Sequence, residues 1–250
     1  MTKRKLLAGA GLILILFFAL RQPALSQDQR TPHRTQTWIA LFNQTRLTER
    51  SGIWADLHYR MNDDLRAVTG ITRLAYTYFF KNQLGLSAGY GYVHHFSQHA
   101  AIPDISEHRP WQQLQWIRTG NGFRLAQYIR AEERIRQKYA DTKPIDDYNF
   151  NWRFRYNIAW SIPLKGKSLG PKIPFLLVND ELHVNAGKTT RGHRFDQNRL
   201  FLGVGYPFTR QVNASLGYLY VHQQVRPSSY VNISAIRLYV TANLDLRNPQ

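Results

Sequence analysis

The chain has 250 residues, 33 Lys and Arg against 16 Asp and Glu, a formal net charge of +17, and no cysteine. That length suits one large or two small domains. The missing cysteine excludes thiol catalysis, disulfides and Cys-ligated metal sites. Mean hydropathy is negative although 13% of residues are aromatic. A soluble globule seldom combines the two. A membrane β-barrel does, because a polar lumen face averages against an apolar lipid face flanked by aromatic girdles.

Taken from the start, Lys3, Arg4 and Lys5 precede an uncharged stretch from Leu6 to Leu20. Arg21, Gln22 and Pro23 break it, and Ala24-Leu25-Ser26 supplies the small-x-small pattern of a signal-peptidase site. The pattern predicts a secretory signal peptide over 1–26, cleaved after Ser26. The apolar stretch is shorter than the ~20 residues a helix needs to span a bilayer. Residues 27–36 then read as a periplasmic N-terminal segment and 37–250 as the barrel domain. Removing the leader still leaves a strongly basic chain. Export makes nucleic acid a poor partner. The candidates are outer-membrane lipid and lipopolysaccharide phosphates, or anionic small solutes in a lumen. The barrel-assembly machinery of a Gram-negative envelope is a further expected partner during insertion.

After Ser26 no apolar run is long enough for a helical span, and the sequence alternates with period two. Phe150, Trp152, Phe154, Tyr156, Ile158, Trp160 and Ile162 share one face, with Asn151, Arg153, Arg155, Asn157, Ala159 and Ser161 on the other. Only a strand sorts residues this way. Similar segments surround Ile53–Arg60, Leu84–Tyr92, Val212–Tyr220 and Ile236–Leu246. Weaker ones lie near 37–47, 65–80, 110–119, 123–135, 173–185 and 195–206. Short connections near 48–50, 81–82, 120–122 and 207–210 alternate with longer ones near 97–108, 136–148, 186–194 and 224–229. That resembles periplasmic turns and outer loops. The expected fold is all-β: a single antiparallel transmembrane barrel in the outer membrane, with both termini in the periplasm. Eleven segments are visible, but single-chain bacterial barrels use even numbers. Twelve strands are therefore expected, with ten as the alternative. A soluble sandwich is the rival fold; outward aromatic faces this continuous would aggregate in water.

Several stretches resemble the DUF2490 family of bacterial outer-membrane β-barrel proteins. They are Glu107-His108-Arg109-Pro110-Trp111-Gln112-Gln113, Arg130-Ala131-Glu132-Glu133-Arg134 and Arg153-Phe154-Arg155-Tyr156. Asn179-Asp180-Glu181-Leu182 and Phe195-Asp196-Gln197-Asn198-Arg199-Leu200 follow in order. The resemblance implies fold and location over roughly the whole mature chain. It implies no assigned activity.

Alternation places Arg130, Glu132 and Arg134 on one inward face, Arg153 and Arg155 on the next strand, then Glu181, Arg199 and Arg237. Neighbouring strands are ~4.8 Å apart, so these groups can form one lumen charge network. Interleaved Arg and Glu can fill a narrow barrel through bidentate pairs. Surplus guanidinium can instead select anions. Three functions stay open: a small anion-preferring pore or binding barrel; a plugged structural or interaction barrel contacting lipopolysaccharide or an envelope partner; and a barrel enzyme acting on lipid or glycan. No catalytic residue is assigned, and the chain is read as a non-enzyme. Gly85-Leu86-Ser87-Ala88-Gly89 has the spacing of a nucleophile elbow but sits inside an alternating strand. His94, His95, His99, Asp104, Glu107 and His108 read as a polar loop, since His94 and His95 point to opposite faces. No metal and no cofactor are expected.

Overall fold

The computed structural model describes residues 31–81, 83–190 and 194–247. The signal peptide expected over 1–26 lies outside the described residues, as do 27–30, Asn82, 191–193 and 248–250.

The described residues form a closed barrel of eleven strands. In chain order they are β1 (His33–Arg46), β2 (Ser51–Asn62), β3 (Ala67–Phe79), β4 (Leu84–His95), β5 (Ile105–Gly120), β6 (Phe123–Ala140), β7 (Lys143–Pro163), β8 (Phe175–Ala186), β9 (Phe195–Pro207), β10 (Val212–Arg226) and β11 (Ser229–Asp245). A 3-10 turn, Lys188–Thr190, precedes β9. Sequential neighbours pair antiparallel, and β1 closes on β11. β1 begins at His33, inside the segment expected to precede the barrel.

Three expectations are corrected. The strand number is neither twelve nor ten. The even-number rule assumes that first and last strands meet antiparallel. Here β1 and β11 pair parallel, from His33↔Asn232 to Arg46↔Asp245. A parallel ladder satisfies backbone N–H and C=O groups as well, so an odd sheet closes without an edge. A second correction follows from the first. β1 starts at one rim and β11 ends at the other, so these two strand ends do not share a side. We call the rim where β11 ends the C-terminal rim, and the opposite one the N-terminal rim. At the C-terminal rim Arg247 pairs with Glu49 of the β1–β2 turn at 2.6 Å.

The third correction concerns the connections. Those at the C-terminal rim are 47–50, 80–83, 121–122, 164–174 and 208–211; those at the other are 63–66, 96–104, 141–142, 187–194 and 227–228. Short and long do not sort by rim. The loops expected near 136–148 and 224–229 are mostly strand, closed by two-residue turns with Asp141 at φ 52° and Ser228 at φ 59°. Their polar composition misled, because β6 and β7 outrun their neighbours. β5 pairs with β6 only as far as Glu107↔Arg136, and β8 with β7 only as far as Trp152↔Ala186. Beyond that the two strands continue as an exposed ribbon, wet on both faces.

The two-residue period fixes which side chains enter the lumen. On β7 Arg153, Arg155 and Asn157 are buried while Phe154 and Tyr156 are exposed. Every strand shows a large apolar group on its outer surface: Leu41, Leu57, Leu74, Leu86, Leu114, Ile129, Phe154, Leu182, Leu202, Leu216 and Ile236 in turn. The core therefore lies inside the barrel. One apolar cluster joins Trp38, Phe201, Leu219, Val221, Ile233 and Ala235 from β1, β9, β10 and β11. Another joins Trp54, Ala75 and Trp111, with Phe42 packed against it. Gly203 and Gly217 lie opposite one another, and a Cβ on either would meet the facing strand's carbonyl at 2.5 Å or less and the Phe201 ring at 2.8 Å or less. The pair lets that ring lie flat over the wall.

Candidate functional site

Glu132 on β6 is fully buried at the waist of the barrel. Its carboxylate accepts from Arg155 Nη1 at 2.7 Å. Arg130, Arg153, Arg109 and Arg73 approach it at 3.6, 3.7, 3.8 and 3.9 Å. Four of these five arginines also hold another carboxylate. Arg73 reaches Asp56 at 2.8 Å, Arg109 reaches Glu107 at 2.6 Å, Arg153 reaches Asp196 at 2.8 Å, and Arg155 contacts Glu181. Glu132 is thus a hub with one bridging arginine to each of four satellite acids. Such bridging suits a planar guanidinium, which presents several N–H groups in a fixed fork.

The satellites have further partners. Glu107 binds Arg134 at 2.6 Å, Arg136 at 3.1 Å and His95 at 3.0 Å. Glu181 lies 2.9 Å from His183 and 3.4 Å from Arg199, and the Tyr128 hydroxyl donates to it. Asp56 accepts from Trp54 Nε1 at 2.7 Å and lies 3.2 Å from His58. Register explains much of this. Asp56 faces Arg73, Glu107 faces Arg136, Glu132 faces Arg153 and Glu181 faces Arg199 directly across the ladder. Arg130 and Arg155 also face one another. Like charges placed so repel, and Glu132 lies between them to offset it.

Of the residues expected in the lumen network, Arg130, Glu132, Arg134, Arg153, Arg155 and Glu181 are buried and interlinked, and Arg199 joins through Glu181. Arg237 stands apart: its guanidinium lies 3.8 Å from the Phe201 ring centroid and makes no ion pair among the described residues. Arg153 and Glu181 do not touch; they connect through Arg155 and Glu132. Sequence reasoning missed Asp56, Arg73, Glu107, Arg109, Asp196 and His183. Glu107 was read as part of a loop, yet β5 begins at Ile105 and turns it inward. Period-two counting back from Trp111 through Arg109 would have found it. His94 and His95 do diverge, His94 to Asp104 at 3.1 Å and His95 to Glu107. In the 96–104 connection the Ser97 backbone N–H, then His94, hold the Asp104 carboxyl below its usual range. Ser87 is buried with its hydroxyl 2.8 Å from that of Thr77.

The two ends of the lumen differ. From the waist toward the N-terminal rim, Val93, Glu107, Arg134, His183, Val221 and Ile233 are all buried. Toward the C-terminal rim the inward positions include the small residues Ala126, Ala159, Ser161, Gly203, Gly205 and Ser215, with the Phe175 ring packed over Gly205 and the Phe201 ring over Gly203. Phe42, Gln44, Tyr128, Leu177 and Tyr239 there are half-buried. A cavity of about 1010 Å³ opens at this rim, lined in part by Gln44, Arg46, Arg50, Phe79, Lys81, Gln115 and Arg247, with Glu49 the lone acid among its lining residues. The cavity is basic, and its lining residues do not include those of the charge network. Chemically it can hold and orient an anion. Among the described residues no group of three His, Cys, Asp or Glu side chains is placed to hold a metal ion.

No curated protein and no solved structure matches the chain. A family profile does, across residues 35–232, from the start of β1 into β11 and so across the whole network. The chain belongs to the family described as "Protein of unknown function (DUF2490)".

Proposed function

We propose that this protein is an outer-membrane barrel whose lumen is a one-ended binding cup for anions and not a through-going pore. Bilayer placement is supported by the outward apolar residues present on all eleven strands. Closed barrels and helices are the structures that satisfy their own backbone groups in lipid. The signal-like pattern over 1–26 supports export, and the basic charge supports contact with anionic lipid or lipopolysaccharide.

The observation that carries the reading is the waist. Glu132, Trp111, Phe201 and Leu219 are at 0% exposure, while the cavity at the C-terminal rim is lined by Arg46, Arg50, Lys81 and Arg247 against Glu49 alone. A conducting path needs a continuous wet lumen, and the burial of the waist side chains speaks against one. A binding reading also fits the serine best placed to mimic an elbow, since the Ser87 hydroxyl is paired with Thr77 inside a strand. The test is conductance of the refolded mature chain in a planar bilayer. The expected result is a folded barrel with no steady current. Reproducible anion-selective steps from the wild-type chain would return it to the pores.

A further inference from the structure

The network neutralises most lumen arginines, but not all. Arg60 on β2 and Arg237 on β11 flank Trp38 of β1, directly opposite it in the ladder on either side. The Arg60 guanidinium lies 3.8 Å from the Trp38 ring centroid, and Arg199 lies 5.2 Å from the same ring. Arg237 lies over Phe201. The Nε atoms of Arg60 and Arg237 are buried without a hydrogen-bond partner. Neither side chain makes an ion pair among the described residues, and Arg199 shares its Glu181 with Arg155 and His183.

Leaving cations desolvated and unpaired is costly. Stacking on aromatic faces offsets part of the cost. It also fixes the guanidinium planes and leaves their N–H edges available, which is the arrangement that recognises oxyanions. Next to Arg237 the wall carries no side chain of its own, since Gly217 and then Gly203 follow it across the ladder, and the Phe201 ring on which Arg237 stacks lies over that pair. The basic mouth supplies a field that draws anions inward.

We infer that Arg60, Arg199 and Arg237, arranged around Trp38, form a phosphate seat in the lumen. The group it takes is a phosphate monoester or inorganic phosphate, free or on a lipid headgroup. The seat deepens the cup reading and rests on it.

The test uses the refolded mature chain in detergent, titrated calorimetrically with inorganic phosphate and with dodecyl phosphate. The wild type is expected to bind at least dodecyl phosphate. Arg60→Gln and Arg237→Gln are each expected to weaken binding about tenfold, the loss of one charge-assisted hydrogen bond. Arg118→Gln, on the outer surface, serves as the charge control and leaves affinity unchanged. Without phosphate, Arg237→Gln should melt no lower than wild type, because it removes an uncompensated cation. Phosphate should raise the melting temperature of the wild type and not of the variant. Binding of both probes assigns the seat to free solutes as well as headgroups, and binding of dodecyl phosphate alone assigns it to a lipid. Wild-type chain that binds neither probe overturns the seat. So does undiminished binding by both variants, or an Arg237→Gln chain that melts lower without ligand. The closed waist is read separately by conductance, so a non-conducting barrel that ignores phosphate sinks the seat and leaves the waist standing.

Discussion

The two halves of the lumen are built from the same strands, yet they solve opposite problems. Toward the N-terminal rim, the inward residues are large or charged, and almost every charge has a partner. Glu107 alone gathers Arg109, Arg134, Arg136 and His95. Toward the C-terminal rim, the same alternation mixes Gly, Ala and Ser with half-buried rings, and the arginines at the junction stack on rings without finding acids. The contrast separates two uses of arginine. Paired with carboxylates at the hub, arginine has its charge offset; held on an aromatic face without an acid, it keeps an uncompensated charge.

The strongest way to break this comparison is at the hub. Glu132→Gln removes the one acid shared by five arginines, and Arg130 makes no other ion pair among the described residues. Breaking a buried pair by deleting one partner costs about 3–5 kcal/mol, and here the surviving satellites cannot reach every arginine. Urea unfolding in detergent should show a large drop in midpoint, with current appearing in bilayers if the floor loosens. A variant as stable as wild type and still silent would mean that Glu132 is not the closure. The same substitution type at Arg237 is expected to cost nothing, and this difference in sign is what the two halves predict.

A smaller effect sharpens the packing side. Leu219 is fully buried in the apolar cluster at the waist, whereas Leu177 only packs against that cluster from the open side. Leu219→Ala should cost about 2–5 kcal/mol through lost burial plus a cavity that rigid strands cannot close. Leu177→Ala should cost about 1–2 kcal/mol, because water already reaches it. Equal losses by urea titration would erase the distinction between a filled half and a wet one.

Much of the barrel was legible in the sequence, and the missing parts share one cause. Alternation in Phe150–Ile162 identified both the strand and its faces, since period two is local. The eleven segments were visible too; the twelfth was added on a rule about how ends meet, which is not a local property. Only the parallel register of β1 and β11 settles it. The network divides the same way. Glu132, Arg153 and Arg155 could be placed inward from their own strands. That Arg153 serves Asp196 while Arg155 serves Glu181 depends on strand stagger and on the bulge at His183 and Val184, where β8 slips against β9. Arg237 could be placed inward from its own strand, but its lack of an acid, like that of Arg60, is a statement about every other strand.

The stagger makes the last and smallest test. Sequence order alone suggests that Arg153 and Glu181, on consecutive strands, are partners. The structure pairs Arg153 with Asp196 at 2.8 Å, two strands away, and couples it to Glu181 only through Glu132 and Arg155. Double-mutant cycles with Arg153→Gln should therefore rank the acids. Contacting residues in one network couple by about 0.5–3 kcal/mol, so Asp196→Asn should show a clear interaction with Arg153→Gln. Glu181→Gln should show a weaker one, and the remnant should vanish when Glu132 is already Gln, because the connecting acid is gone. A direct Arg153–Glu181 coupling that survives Glu132→Gln would mean that β8 sits in a different register against β7. The hub would then have to be redrawn with the satellites reassigned, while the unpaired arginines beside Trp38 would be untouched.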